Sequence, residues 1–408
     1  MAAYCFTYNR LLVDLHQAYY DARRHKRNKP YQLRFEQNLE ENLCALCDEL
    51  WTRTYRPERS TCFIVRDPSL REIFAAEFRD RIVHHLYFNY THTLFERTFI
   101  QDSYSCIRGR GTHYGIRRLR EHILKASQNY SEQCFVLKMD IQGYFVHINR
   151  ERLLQISTDT LRRMSSHKIY KDEPGTWQDV MDFDFLEYLT GVIVLQNPVV
   201  GCVIKGNLNE WQSLPDSKSL FKSGEECGLP IGNLTSQLFS NVYLNKLDQY
   251  MKRELGCRHY GRYVDDFYVV SPDRDWLKGI VAQVEEFLQT ELDLCLNRKK
   301  LTICDVRYGV EYLGAYLLPH RTYVSNRTLA RMRKKINALG QRVAVNVFVK
   351  GEKHTEMTNT IVGSMNSFMG VLSHYRTYNI RRDMVRNNIA MLCYGRFTND
   401  RLKFIGTM

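Results

Sequence analysis

Nowhere does the chain run apolar for anything near the ~18 residues that a membrane helix needs. Its opening, MAAYCFTYNRLLVDL, holds no long apolar run either. These absences exclude a membrane-spanning reading and lead us to expect no secretory leader. A zinc framework is also missing. Of twelve cysteines only Cys44 and Cys47 form a C-x-x-C pair, with no second pair and no His pair at zinc spacing. That pair lies in NLEENLCALCDELW, an amphipathic helical pattern, so packing explains it better than metal. Scattered thiols fit a reducing cytoplasm. No internal repeat and no low-complexity tract is present.

What the chain does have is size and positive charge. Its 408 residues, 44% hydrophobic, suffice for two or three compact subdomains. Lys and Arg number 58 against 45 acids, a net charge of +13. A surplus of that kind suits a polyanionic partner, since neutralising phosphate is the usual work of spare cations. Composition alone equally allows a soluble basic protein. The 26 Tyr and 20 Phe can stack on bases or fill a core.

Along the chain, residues 1 to about 50 read as helices with a basic stretch, Arg23–Lys29, between two of them. TCFIV (61–65) reads as a strand, and the segment after it as a long helix. CFVLKM (134–139) is a continuous apolar run with the pattern of a buried strand. Residues 151–200 are mostly helical, 201–227 hold a β-like stretch and a polar loop, and 234–253 read as a helix. RYVDDFYVV (262–270) and VEYLGAYL (310–317) read as strands, and past Pro319 the chain is basic and helical to its end. Helices and strands mix without a βαβ rhythm, which favours an α+β palm over a doubly wound sheet.

The chemistry concentrates in Tyr263-Val264-Asp265-Asp266. Two adjacent aspartates among apolar residues repel each other and need a counter-charge if buried. Mg²⁺ supplies one. Successive strand side chains point to opposite faces, so a tight turn at the two aspartates is needed to bring both to one site. Alone, the dipeptide equally describes a surface turn. Asp140, which ends the strand CFVLKMD, supplies a third acid. Phosphoryl transfer by two metals about 3.5–4 Å apart needs carboxylates converging from separate strands.

LKMDIQGYF resembles motif A of reverse transcriptases, and RYVDDF resembles their motif C. GLPIGNLTSQLFSNVYLNKLD (228–248) is similar to motif B, LNRKKLTI (296–303) to motif D, and EYLG (311–314) to the motif E primer grip. LREIFAAEFRDRIVHH (70–85) and SYSCIRGRGTH (103–113) resemble the fingers motifs. The blocks stand in the family's order from about residue 60 to 318.

That resemblance implies an α+β right-hand polymerase fold of fingers, palm and helical thumb, and an RNA-directed DNA polymerase. Asp140, Asp265 and Asp266 are the implied carboxylates, with the Ile141 carbonyl completing a metal shell of two Mg²⁺ ions that Mn²⁺ can replace. Phe145 falls at the steric gate against the ribose 2′-hydroxyl. Lys300, with Lys299 adjacent in an uncertain register, falls at the motif D general acid. Arg71 falls at the arginine that grips the triphosphate, with Arg66, Arg108 and Arg110 as further cations nearby. Tyr312, Leu313 and Gly314 are the implied primer grip. The implied partners are an RNA template, a DNA primer and product, and deoxynucleoside triphosphates, without a membrane. The implied division is 1–133 for N-terminal helices and fingers, 134–318 for the palm with inserted elements at about 151–227, and 319–408 for the thumb. RTLARMRKKINALGQRV (327–343) has apolar residues at helical spacing and a basic opposite face suited to duplex phosphates.

Two departures narrow the group. Most of the family carry Q-G-x-x-x-S-P in motif B; here Ile231-Gly232-Asn233-Leu234-Thr235-Ser236-Gln237 replaces the glutamine and the proline. The I-G-x-x-x-S-Q form, with WQSLPDSKSLF (211–221) and NSFMGVLSHYRTYNIRRDM (366–384), resembles the enzymes of diversity-generating retroelements, which misincorporate opposite template adenine. These imply a small basic accessory protein, a structured template RNA, and a cytoplasmic enzyme encoded by a prokaryotic host or a phage. Bacterial antiphage defence enzymes, which make non-coding or untemplated DNA, share parts of the motif. A catalytically silent nucleic-acid binder is a third reading, opposed by the intact acids. In addition, the lysine often found just before the fingers arginine is absent from Asp67-Pro68-Ser69-Leu70-Arg71. No endonuclease motif follows the palm.

Overall fold

A computed structural model of the chain describes residues 6–24, 29–66, 69–170, 175–345, 352–393, 395–398 and 403–406. Asp67, Pro68 and residues 25–28 of the basic stretch lie outside the described residues. The chain divides into two compact units, one of residues 1–118 and 137–303, the other of 119–136 and 304–408.

The first unit begins with α1 (Tyr8–Arg23), α2 (Pro30–Glu36) and α3 (Leu39–Trp51). The Thr7 hydroxyl caps α1 by accepting from the Arg10 N–H. Cys47 is buried on α3 and Cys44 exposed, so the C-x-x-C pair straddles a packed face. β1 (Thr61–Val65) stands where TCFIV predicted a strand. The expected continuous helix after it does not start at once: Arg71–Ala75 is β2, antiparallel to β1, and the helix α4 runs from Phe78 to Glu96. Burial alternates along REIFA, with Glu72 and Phe74 inward, the period-2 pattern of a strand.

α5 (Thr112–Ala126) follows, then β3 (Phe135–Asp140), the short α6 (Tyr144–His147) and α7 (Arg150–Ser165), capped by the Asn149 side chain. α8 spans Phe183–Leu195, and β4 (Val203–Ile204) adds to β1 in parallel. Short 3₁₀ turns at 208–222 then fold back on the β1–β2 hairpin. Buried Glu72 gathers them, accepting from the Trp211 indole (2.7 Å), the Ser219 hydroxyl (3.0 Å) and the Leu220 N–H (2.7 Å).

α9 (Leu234–Gln249) is buried on nearly every side and ends in a π-helical turn at Tyr250–Glu254. Beyond it lie β5 (Tyr260–Tyr263), β6 (Asp266–Ser271), α10 (Arg274–Leu292) and β7 (Thr302–Asp305). The segment 262–270 is thus two strands of a hairpin. The sheet order is β5-β6-β3-β7, the split β-α-β arrangement in which the first strand of the motif sits centrally.

In the second unit 310–317 is also a hairpin, β8 (Val310–Tyr312) and β9 (Ala315–Leu318), joined by β10 (Arg321–Val324). α11 (Asn326–Val345), α12 (Glu352–Ser373) and α13 (Tyr378–Arg386) follow. They enclose a methionine-rich core of Met332, Ile336, Met365, Met369, Leu372 and Met384. The chain is not helical to its end as expected, because β11 (Gly395–Thr398) pairs with β12 (Lys403–Gly406). On α11 the exposed residues include Arg331, Arg333, Lys334 and Arg342, opposite the buried Met332, Ile336 and Val343. No described helix is long and apolar enough to cross a membrane.

Candidate active site

The site forms where the end of β3 meets the β5–β6 hairpin. Asp140 is the last residue of β3 and is buried. Tyr263 pairs with Asp266 across the hairpin, leaving a two-residue loop of Val264 and Asp265. The tight turn therefore takes one aspartate, not both as the sequence suggested, and Asp266 opens β6. Val264 occupies the left-handed region, φ +56°, where two-residue hairpin loops usually place glycine or asparagine. A β-branched residue there is strained by roughly 1–3 kcal/mol. The Ile141 N–H donates to the Asp265 carbonyl (3.2 Å), tying the hairpin loop to the end of β3.

The three acids lie close enough to perturb one another's titration. Burial first, then Asp140, pushes the Asp265 carboxyl above its ordinary range, while Lys300 and Arg71 pull it down. Burial, then Asp140, then Asp265 push Asp266 up to about 7, opposed by Lys138 and Lys300. Both oxygens of Asp140 are engaged: Asn297 Nδ2 donates to Oδ1 (3.2 Å) and Lys300 Nζ to Oδ2 (2.6 Å). Among the described residues no group of three His, Cys, Asp or Glu side chains stands gathered for a metal. By donor chemistry the set still fits a hard divalent cation: oxygen ligands only, partly buried, mutually repelling and short of positive charge.

The other expected residues fall around this point in the first unit. Arg71 opens β2, is exposed, and lies near enough for Asp265 to feel its charge. Phe145, half-buried on α6, rests edge-on against Tyr144, and its carbonyl accepts from the Leu229 N–H (2.7 Å). That bond ties motif A to the start of motif B. The Ile231 carbonyl accepts from the Phe74 N–H (2.9 Å), fastening motif B to β2. Gly232 has φ +137°, and a Cβ there would stand 2.7 Å from the Phe74 carbonyl oxygen, so only glycine fits. Gln237 is exposed on the first turns of α9.

Of the two motif D lysines, Lys300 is the one bonded to Asp140. Arg110 and Arg66 are committed elsewhere, Arg110 to the Ile100 and Ser103 carbonyls and Arg66 to Glu210. Tyr312, Leu313 and Gly314 belong to the second unit. Tyr312 is buried at the end of β8, and Leu313 (φ +48°) and Gly314 (φ +79°) make the β8–β9 turn.

Sequence reasoning missed Asn297, which binds Asp140 through its amide and also through its N–H to the Asp140 carbonyl (2.7 Å). It also missed Arg262 and Asp248, a fully buried ion pair behind the hairpin loop, bonded at 2.6 Å.

The family described as reverse transcriptase (RNA-dependent DNA polymerase) matches residues 67–317. Protein YkfC of Escherichia coli K12 is 25% identical over 320 residues, 69% of this chain and 72% of that protein. Among solved structures, apo telomerase of Candida tropicalis truncated from its C-terminal domain aligns with a TM-score of 0.46 at 10% identity, over 65% of this chain. Candida albicans telomerase, in complex with a fragment of telomeric RNA, aligns at 0.43 and 9%, over 83% of this chain. The chain spans 55% and 61% of the lengths of those two telomerases. With the family matched over well over half its length, on the segment that carries all three aspartates, the chain belongs to the reverse transcriptase (RNA-dependent DNA polymerase) family.

Proposed function

We propose that the chain copies RNA into DNA by two-metal phosphoryl transfer and does so inaccurately at template adenine, as part of a diversity-generating retroelement. The observation that carries the chemistry is the proximity of Asp140, at the end of β3, to Asp265 and Asp266 of the β5–β6 hairpin, with the Ile141 N–H bonded to the Asp265 carbonyl and with Lys300 and Arg71 nearby. Asp140, Asp265, Asp266 and the Ile141 carbonyl would hold two Mg²⁺ ions, or Mn²⁺, which when bound supply the Lewis acidity for the primer 3′-hydroxyl and the triphosphate.

The chain's own residues divide the remaining work. Lys300, with an ammonium largely in water yet bonded to Asp140, delivers a proton to the departing pyrophosphate. Arg71 offers a planar guanidinium to the triphosphate. Phe145 blocks the 2′-hydroxyl of a ribonucleotide. The Tyr312–Gly314 turn grips the primer, and the basic face of α11 follows the duplex phosphates. Fingers, palm and thumb correspond to residues 1–133, 134–318 and 319–408.

The error-prone reading rests on Ile231 and Gln237. An apolar side chain at position 231 removes an amide that would hydrogen-bond beside the incoming sugar, which loosens its placement. The partners in this reading are a structured template RNA and a small basic accessory protein, in the prokaryotic cytoplasm, with the enzyme host- or phage-encoded. Sequencing of extension products made with the RNA and partner tests it: errors concentrate at template adenine. Evenly spread errors, or untemplated repeats, contradict it and point to antiphage defence.

A further inference from the structure

We infer that Arg262 is a positioning residue for the carboxylate loop: anchored on Asp248 of α9, it holds the strained Val264 backbone and thereby sets where Asp265 and Asp266 point. This inference rests on the polymerase reading above. Arg262 is wholly buried. Its Nε and Nη2 form a fork on Asp248, at 2.7 Å to Oδ1 and 2.6 Å to Oδ2. The Tyr260 hydroxyl adds a third donor to Asp248 (2.6 Å). With the guanidinium fixed in this way, its remaining nitrogen, Nη1, reaches the Val264 carbonyl (3.0 Å) and Asn241 Oδ1 (3.3 Å).

The other side of Val264 is held too. Its N–H donates to the Ser105 hydroxyl (3.2 Å), which donates in turn to Asn241 Oδ1 (3.3 Å). The Asn241 amide donates to the Ser105 carbonyl (2.8 Å), and Arg262 Nη2 also reaches the Ser103 hydroxyl (3.3 Å). Both the N–H and the C=O of Val264 are therefore fixed by side chains from α9, from the 103–105 segment and from β5. A left-handed β-branched residue persists only where its surroundings over-determine it, and this cluster does so at the residue preceding Asp265.

Stability alone does not explain the pair. A buried ion pair is often replaceable by apolar residues of similar volume with little loss of stability. A lysine could satisfy Asp248 but has no planar fork with which to reach Val264 as well. What the arginine adds is the bond to the loop.

The test uses the full chain in RNA-templated single-nucleotide incorporation, with thermal unfolding in parallel. Paired Arg262→Met and Asp248→Leu should unfold near the wild-type temperature yet lower kcat by ~10²-fold, the effect of misplacing reacting groups by about 1 Å. The KM for the deoxynucleotide should stay within a few-fold. Arg262→Lys should lose activity similarly. Adding Val264→Gly to Arg262→Lys should restore much of it, because glycine adopts the turn unaided. A folded apolar pair with wild-type kcat overturns the inference. If the apolar pair does not fold, failure of Val264→Gly to rescue Arg262→Lys overturns it instead. An Asp265→Ala chain as active as wild type overturns the polymerase reading and this inference with it. An active wild type silenced by Asp265→Ala keeps the reading, and the Arg262 variants then decide the inference alone.

Discussion

Asp266 should make the protein less stable where it is most useful. Its carboxyl is pushed from 3.8 to about 7, first by burial, then by Asp140 and Asp265. An acid whose pKa is raised by folding destabilises the fold when ionised. That effect is absent below the unfolded value, grows as the pH rises toward 7, and is complete above it. A rise from 3.8 to about 7 corresponds to about 4 kcal/mol as a ceiling. Screening of the solvent-facing part of the side chain lowers it to about 2 kcal/mol. Asp266→Asn removes the charge and keeps the shape. In buffer stripped of divalent cations, the variant should therefore unfold at a higher temperature than wild type at pH 8, and the gain should shrink by more than half at pH 5. Added Mg²⁺ should stabilise wild type more than the variant, narrowing the gap. Thermal unfolding followed at both pH values, with and without Mg²⁺, measures all of this. A variant no more stable than wild type at pH 8, or a gain independent of pH, would refute the reasoning.

Lys300→Gln should slow single-turnover incorporation by ~10²-fold or more, the usual worth of a positioned general acid. Lys299→Gln, whose side chain has no bond to Asp140, should leave the rate within a few-fold, and equal effects would contradict the assignment. Phe145→Val should raise incorporation of ribonucleotides relative to deoxynucleotides, read as a ratio of kcat/KM values; an unchanged ratio would return Phe145 to a packing role.

The strands that carry the acids were legible because their signals are local. The apolar run before Asp140 and the apolar flanks of Asp265–Asp266 are short-range patterns, and β3 and β6 appear where those patterns stand. Two other apolar stretches concealed turns. Val264 and Leu313 both sit in strand-like sequence yet take positive φ, and at Val264 bonds from Arg262 and Ser105 hold that conformation. REIFA looked like the start of a helix because EFRDRIVHHL continues it. Its strand character comes from pairing with β1 and from Glu72 meeting Trp211 and Ser219 about 140 positions away. Separations of 157 and 159 residues likewise hid Asn297 beside Asp140 and Ser105 beside Val264. Arg262 and Asp248 are only 14 apart, but a helix, a π-helical turn and a strand start intervene, so no periodicity joins them.

The most direct test of the central claim is metal-dependent extension of a primer on a defined RNA, wild type against Asp265→Ala. Chemistry through Asp140, Asp265 and Asp266 predicts extension by wild type with Mg²⁺ and a loss of ~10³-fold or more in the variant, several kcal/mol of transition-state stabilisation. A variant that extends as well as wild type, or a wild type inert with both Mg²⁺ and Mn²⁺, would contradict it.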